Sequence, residues 1–389
     1  MKNVLLYYSF GFAFGGGDYL PLVFAAELQK VSNLTLAVDV AANIEQSSRI
    51  FGIGLDMSKL KVVQVTPPGY SPLKHNTYLS LYRFRKLKKL ARNADVCISA
   101  ASIMDFGRPS HQFINMLAFG DDEFTAFVRN PAAPVRPGLR ARIKNFISNS
   151  ILRPLLGMRS KRRVILDPRN RIYPNSKFVE NFMKEFYGEF NSTVFYPPTL
   201  LDTKSDAAVA RDPLKVVYIG RIIPEKLIVE LVGIVEQARK ITGLDLEFHV
   251  AGRLDQTPAY GRELAEMAKT RAWLKFVGAL YGEEKKKFLL SGSYALHAER
   301  LEAFGISVVE YLESGSIAIV PDEGGAFEIV DSPELAYRTY DDAARILGRL
   351  VTDAEFRERQ REHCAARAKY FSREAYLKRQ SELLEKFLQ

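Results

Sequence analysis

Cysteine is scarce in this chain. Its 389 residues hold two, Cys97 and Cys364, far apart and without metal-ligand spacing. That rules out a disulfide framework, and reduced thiols in a cytosolic protein are the expectation. No apolar run reaches the roughly 18–20 residues that cross a bilayer. The stretch "VLLYYSFGFAF" resembles a signal-peptide core, but it runs straight into "GGGDY" without a clear cleavage site. It reads better as a buried first strand. There is no D-x-D and no His/Cys cluster, so a divalent metal has no evident ligand set and no cofactor is expected. Repeats, low-complexity tracts and RNA- or DNA-binding motifs are missing as well.

What the chain does have is size and unevenly placed charge. Its length exceeds one ordinary core and suits two domains of roughly 150–200 residues each. Hydrophobic residues make up 47%, enough for two cores. The net charge is +10, but up to Pro198 there are 27 Lys and Arg against 14 Asp and Glu, and beyond it 28 against 31. The basic excess belongs to the first half, where an anionic partner is expected.

Short apolar runs alternate with helical patterns in both halves. "KNVLLYYS", "LTLAVDV", "KVVQVT" and "ADVCISA" read as strands of the first half, with "SLYRFRKLKKLARN" a helix. "LKVVYIG", "DLEFHVAG", "WLKFVGAL", "YALHAE" and "IAIVPD" repeat the design in the second, with "EKLIVELVGIVEQARKI" and "YGRELAEMAKTR" as helices. This is β-α repetition, so the fold class is α/β, two Rossmann-like domains of parallel sheet covered by helices. The expected boundaries are 1–198 and 214–370, with a linker at 199–213. A C-terminal helix at 371–389 would cross back to the first domain. Two such domains predict a deep cleft at the C-terminal ends of both sheets, the usual ligand site.

Three segments carry candidate chemistry. In "IGRIIPEK", Arg221 and Lys226 leave a strand end, where two cations suit a diphosphate; an ordinary loop with solvated charges is the competing reading. In "GGGDY", Gly16 and Gly17 permit close backbone approach to a ligand, although the spacing is not G-x-G-x-x-G and a tight turn explains it equally well. "SGSYALHAERLEAFGISVVEYLESG" is the most specific. Its helix is expected to start near Gly305 and stop at Gly315. The amides of Phe304, Gly305 and Ile306 would then form a phosphate seat. Glu302 precedes that seat, and Glu310, one turn in from Ile306, could accept from a sugar diol. A helix with one salt-bridged glutamate is the alternative.

The order "GRIIPEK", "HAERLEAFGISVVE" and "PDEGGAFEIVD" resembles family-4 glycosyltransferases, retaining enzymes of the GT-B fold. Their Glu-x7-Glu signature is met by Glu302 and Glu310. The "GGGD" loop, "YPNSKFVENFMKEFYG" and "FYPPT" match that family in place and order. The likeness is closest to lipid-linked-oligosaccharide mannosyltransferases that use GDP-mannose. The resemblance implies that Arg221 and Lys226 bind the donor diphosphate and neutralise the leaving group. It implies that Glu302 binds the donor sugar, that Glu310 binds the ribose, and that Gly16 and Gly17 let the first loop close over the diphosphate. His297 is similar in position to a family histidine near the sugar; a core histidine is the alternative. The base would sit near Val277–Tyr281. The developing charge on the diphosphate would be stabilised by cations and helix amides, without a metal. One departure stands out. The family's acceptor-side histidine has no counterpart after "CISA", which leaves Asp105 and His111 as candidates, with Asn115 at the histidine's place in a related pattern.

The basic half suggests where such an enzyme works. Residues 136–163 hold nine basic residues and no acid, with Ile143, Phe146, Ile147, Ile151 and Leu155 at helical spacing, and 83–92 adds six cations. Both suit an anionic membrane surface, which implies a peripheral protein on the inner face of a membrane; a core-packed helix with a solvated basic face is the alternative. The expectation is a hexosyltransferase acting from GDP-mannose on a lipid-linked or polysaccharide glycan acceptor. A UDP-sugar donor, a sugar-nucleotide epimerase or hydrolase on the same fold, and a nucleic-acid-binding protein are the other readings. The acidic second half and the lack of a binding motif argue against nucleic acid.

Overall fold

The computed structural model describes residues 1–9, 11–12, 16–67, 77–115, 157–199, 211–253 and 258–388, together with Leu201 and a few positions between 124 and 155. Most of the basic segment 136–163 and most of the linker 199–213 lie outside the described residues. The chain divides into two compact units, Met1–Pro197 with Lys378–Gln389, and Pro198–Leu377.

The first unit is built on six parallel strands in the order β3-β2-β1-β4-β5-β6. They are β1 (Asn3–Tyr8), β2 (Asn33–Val38), β3 (Lys61–Gln64), β4 (Val96–Ser99), β5 (His111–Ile114) and β6 (Arg171–Pro174). β1 and β4 are central and covered on both faces, which explains their unbroken apolar runs. Helix α1 (Tyr19–Val31) follows β1 and ends at Ser32, whose N–H and hydroxyl both donate to the Leu28 carbonyl, at 2.9 and 2.7 Å. Helices α2 (Ile44–Ile50), α3 (Thr77–Arg92), α4 (Lys161–Ile165) and α5 (Lys177–Tyr187) come next in chain order. β5 and β6 are additions to the sequence reading.

The second unit repeats the plan, with strand order β12-β11-β10-β7-β8-β9, again all parallel. Its strands are β7 (Asp212–Ile219), β8 (Glu247–Ala251), β9 (Leu274–Gly278), β10 (Gly292–Leu296), β11 (Ile317–Pro321) and β12 (Ala336–Tyr337). Its helices are α6 (Ile228–Thr242), α7 (Pro258–Lys269), α8 (Gly282–Ser291), α9 (Ile306–Glu313), α10 (Gly324–Val330), α11 (Tyr340–Thr352) and α12 (Ala354–Phe371). The last helix, α13 (Arg373–Leu388), starts in the second unit and ends in the first. In both sheets the strand order reverses beside the first strand, at β1/β4 and at β7/β10. A crevice outside the carboxyl ends at such a point is where open α/β sheets bind ligands.

Two helix boundaries position groups at the second of these switch points. α9 lies between Gly305 at φ +102° and Gly315 at φ +80°, so both glycines punctuate it as the sequence suggested. By contrast, α6 starts three residues later than "EKLIVELVGIVEQARKI" implies. Pro224–Lys226 form a 3-10 turn, and Leu227 then takes φ +55°. A left-handed conformation costs a non-glycine residue roughly 1–2 kcal/mol, and such strain gathers at functional sites. Lys226 therefore sits on a tight turn at the sheet edge, not on the helix.

Candidate active site

Two loops of the second unit leave the β7/β10 switch point, Gly220–Leu227 after β7 and His297–Gly305 after β10. Neighbouring glycines fix each of them. The first loop lies against Gly252, where a Cβ would come 1.8 Å from the Gly220 carbonyl oxygen. The Ile222 amide donates to the Arg253 carbonyl at 3.0 Å and joins the loop to the end of β8. The second loop lies against "PDEGG". A Cβ on Gly325 would come 2.4 Å from Phe304 Cα, and one on Gly324, at φ +87°, 2.3 Å from the Arg300 carbonyl oxygen. The Gly325 amide donates to the Glu302 carbonyl at 2.8 Å. Arg300 reaches Asp322 at 3.1 Å and Glu323 at 2.8 Å, tying the loop to β11 and α10. Only glycine permits these approaches, so Glu302 is held on a rigid support.

The loops meet through side chains. Lys226 Nζ donates to Glu302 Oε2 at 2.6 Å and also to Glu299. Nε2 of His297 lies 3.9 Å from the same Glu302 oxygen. His297 is 2% exposed, and neither of its ring nitrogens completes a well-formed hydrogen bond; besides Glu302, the Glu299 backbone is close. Burial holds the imidazole down to about 4, against the pull of Glu302 and with help from Lys226, so the ring is neutral at neutral pH. For Glu302, burial works against the charge, but Lys226 and then His297 outweigh it and hold the carboxyl low. Glu299 moves the other way, raised by burial and by Glu302 despite Lys226. Lys226 stays charged, because the two acids outweigh its burial. Arg221 is exposed beside this cluster, its carbonyl accepting from Tyr218 Oη at 3.3 Å, with no ion pair among the described residues.

The structure thus brings Lys226, His297 and Glu302 together, with Arg221 on the same loop as Lys226. Phe304 and Gly305 are buried, and Gly305 caps α9, which opens at Ile306. Glu310 lies apart from the cluster. It is 2% exposed, and its Oε1 accepts from Lys285 Nζ of α8 at 2.6 Å. One residue further on, Tyr311 Oη accepts from the Ile219 amide at 2.8 Å and pins α9 to the end of β7.

The candidates of the first unit are placed differently. Gly16 and Gly17 form an exposed turn into α1, and the adjoining Asp18 is buried and accepts from Tyr8 Oη at 2.7 Å. Asp105 and His111, the acceptor-side candidates, each have partners within the first unit. The Asp105 carboxylate accepts from the Arg159 amide at 2.9 Å, from Arg159 Nε at 3.0 Å and from the Gly107 amide at 2.9 Å. It is an ion-pair anchor for a loop. His111 opens β5, level in the sheet with Ile98 of β4, with its ring 3.8 Å from that of Phe387 and Nδ1 3.1 Å from Tyr173 Oη. β5 then runs to Ile114 at the carboxyl edge of the sheet. Asn115 does follow β5 at that edge, donating to the Ala100 carbonyl at 2.7 Å.

Sequence reasoning missed Glu299 and Lys285. Glu299 looks like a solvated acid in "HAERLE", and Lys285 is one of three consecutive lysines in "EEKKKF". Only the meeting of loop with loop, and of α8 with α9, distinguishes them.

Comparison with known proteins gives this geometry its context. Residues 202–367 match the family model described as glycosyl transferases group 1. Among curated proteins none matches the chain. Among solved structures, Anabaena HepE in complex with UDP and glucose superposes with a TM-score of 0.68 at 14% identity, covering 99% of this chain and 100% of that one. The pneumococcal O-GlcNAc transferase GtfA in complex with UDP and GlcNAc gives 0.67 at 11%, covering 100% and 99%. WaaG, a glycosyltransferase involved in lipopolysaccharide biosynthesis, gives 0.66 at 11%, covering 98% and 99%. At these identities the likeness is one of fold, and the fold is GT-B. The chain thus carries the GT-B fold, and residues 202–367 of it, most of the second unit, match the group 1 glycosyl transferase model.

Proposed function

We propose that this protein is a glycosyltransferase that draws a hexose from a nucleotide-sugar donor seated at the carboxyl edge of the second sheet, and adds it with retention to a membrane-associated glycan. The observation that carries the reading is the Lys226–Glu302 pair at 2.6 Å, set at a switch point beside an exposed arginine. Arg221 and Lys226 take the diphosphate, and the amides that open α9 complete its seat. Glu302 and the neutral His297 hold sugar hydroxyls, and Glu310 serves the ribose side. As the bond from the anomeric carbon to the phosphate oxygen breaks, cations and amides stabilise the leaving diphosphate. The acceptor oxygen bonds the same face of that carbon and passes its proton to a leaving phosphate oxygen.

GDP-mannose is the donor this reading favours, on the likeness of the Glu302–Glu310 segment to mannosyltransferases. A UDP-hexose is the second reading, favoured by the UDP complexes of HepE and GtfA. The acceptor is placed at a membrane because the first half is basic and because Ile147, Ile151 and Leu155 are exposed. The test is to incubate the protein with labelled GDP-mannose, UDP-glucose or UDP-GlcNAc and glycolipid-bearing membranes. Label from one donor entering the lipid fraction supports the reading. Release of free sugar alone, or no turnover of any donor, contradicts it.

A further inference from the structure

Lys226 is already matched by more negative charge than it carries. It donates to two carboxylates, Glu299 and Glu302, and all three side chains are well covered, at 28% exposure or less. Among the described residues, the groups near Glu299 are Lys226 from the turn after β7, Glu302 on its own loop, His297 just after β10 and Tyr218 on β7, which in turn neighbours the exposed Arg221. Tyr218 is held protonated by burial, with Glu302 and Glu299 adding to it, and His297 is neutral. One ammonium against two carboxylates leaves an excess negative charge, and among the described residues of these two loops Arg221 is the cation without an ion pair that could offset it. A diphosphate brings at least two more negative charges. Like charges crowded into a partly desolvated site are not all retained, so one carboxylate has to become neutral.

We propose that Glu299 is a proton-linked counter-ion of the donor site, which holds Lys226 in the nucleotide-free protein and takes up a proton from solvent when a nucleoside diphosphate draws that ammonium away. The inference rests on Lys226 being the diphosphate ligand. Glu299 takes the proton, not Glu302, because Glu302 Oε2 keeps His297 Nε2 3.9 Å away, where the neutral ring in its Nε2–H form still turns a dipole toward a carboxylate. Burial and the adjacent Glu302 already favour the neutral form of Glu299. Once protonated, Glu299 donates its O–H to Glu302, so the two carboxyls share one proton. No other bond changes. A permanent counter-charge would only compete with the ligand, whereas a proton-linked one makes binding tighten as pH falls, by up to about tenfold per pH unit for one proton taken up.

The experiment is calorimetric titration with GDP and UDP in two buffers of different ionisation enthalpy, between about pH 7 and 9, above the nucleotide's own phosphate pKa of about 6. The wild type is expected to take up as much as one proton per nucleotide, and its affinity to weaken as pH rises. Glu299→Gln should bind without proton uptake and with a flat pH profile, and Glu299→Asp should restore uptake. Binding by the wild type without uptake, or unchanged uptake in Glu299→Gln, overturns the proton link and leaves the donor-site reading standing. If neither nucleotide binds the wild type, the donor-site reading falls and this inference with it.

Discussion

Lys285 Nζ lies 2.6 Å from Glu310 Oε1, with side-chain exposures of 17% and 3%. The pair joins α8 to α9, the helix whose first residues support the candidate phosphate seat. It answers why an acid stands among Val308, Val309, Tyr311 and Leu312, all of them buried. Removing one partner of a buried pair strands the other, at a cost of about 3–5 kcal/mol. Lys285→Met should therefore unfold at clearly lower urea concentration, and Lys285→Met combined with Glu310→Leu should recover most of the loss. Strictly additive losses would show that the pair is not the reason for the buried acid.

Acid should weaken the fold through two histidines. Burial holds His111 and His297 down to about 4 from an ordinary 6.5, with Arg171 adding to the effect at His111 and Lys226 at His297. The unfolded chain binds these protons first, so stability is whole above about 6.5 and is lost as pH falls toward 4. At about 1.4 kcal/mol per unit, each site contributes on the order of 3 kcal/mol to that slope. His111→Gln should flatten stability against pH across this window, measured by urea unfolding. An unchanged slope would mean that His111 is protonated in the fold.

The glycine contacts make a graded prediction. Gly252→Ala and Gly325→Ala must move backbone that carries Arg221 and Glu302. Overpacking of this kind costs about 1–3 kcal/mol, and nucleotide affinity should drop more than tenfold while the protein is still folded. Gly233→Ala, in the middle of α6 with open space around its Cβ, should raise stability by about 0.5–1 kcal/mol. Equal effects of all three would mean that the glycines are not there to support the loops.

Ile147, Ile151 and Leu155 recur every four residues and are 43%, 45% and 77% exposed. Replacing Ile151 and Leu155 with glutamate should abolish binding to phosphatidylserine vesicles with no loss of thermal stability. Wild-type binding should fall as salt is raised. Vesicle binding that survives the double replacement would move the membrane face elsewhere.

Much of the fold was legible because buried parallel strands need long apolar runs. "VLLYY", "VVYI" and "IAIV" can be little else. β5 and β6, at four residues each, are too short to show a period, and β12 has two residues. At the site, Lys226 and Glu302 were legible as charges at strand ends, and Gly305 and Gly315 as helix punctuation. Partnership was not legible. Glu299 and Lys285 acquire meaning only across 73 and 25 residues of sequence separation, when two loops or two helices pack together.

The central claim is that Lys226 binds the diphosphate of a sugar donor. It is tested most directly by calorimetric affinity for GDP, UDP and ADP in wild type and in Lys226→Ala. At least one of these is expected to bind the wild type, and the variant to bind it at least tenfold more weakly while keeping its fold by circular dichroism. Equal affinity in both proteins would contradict it.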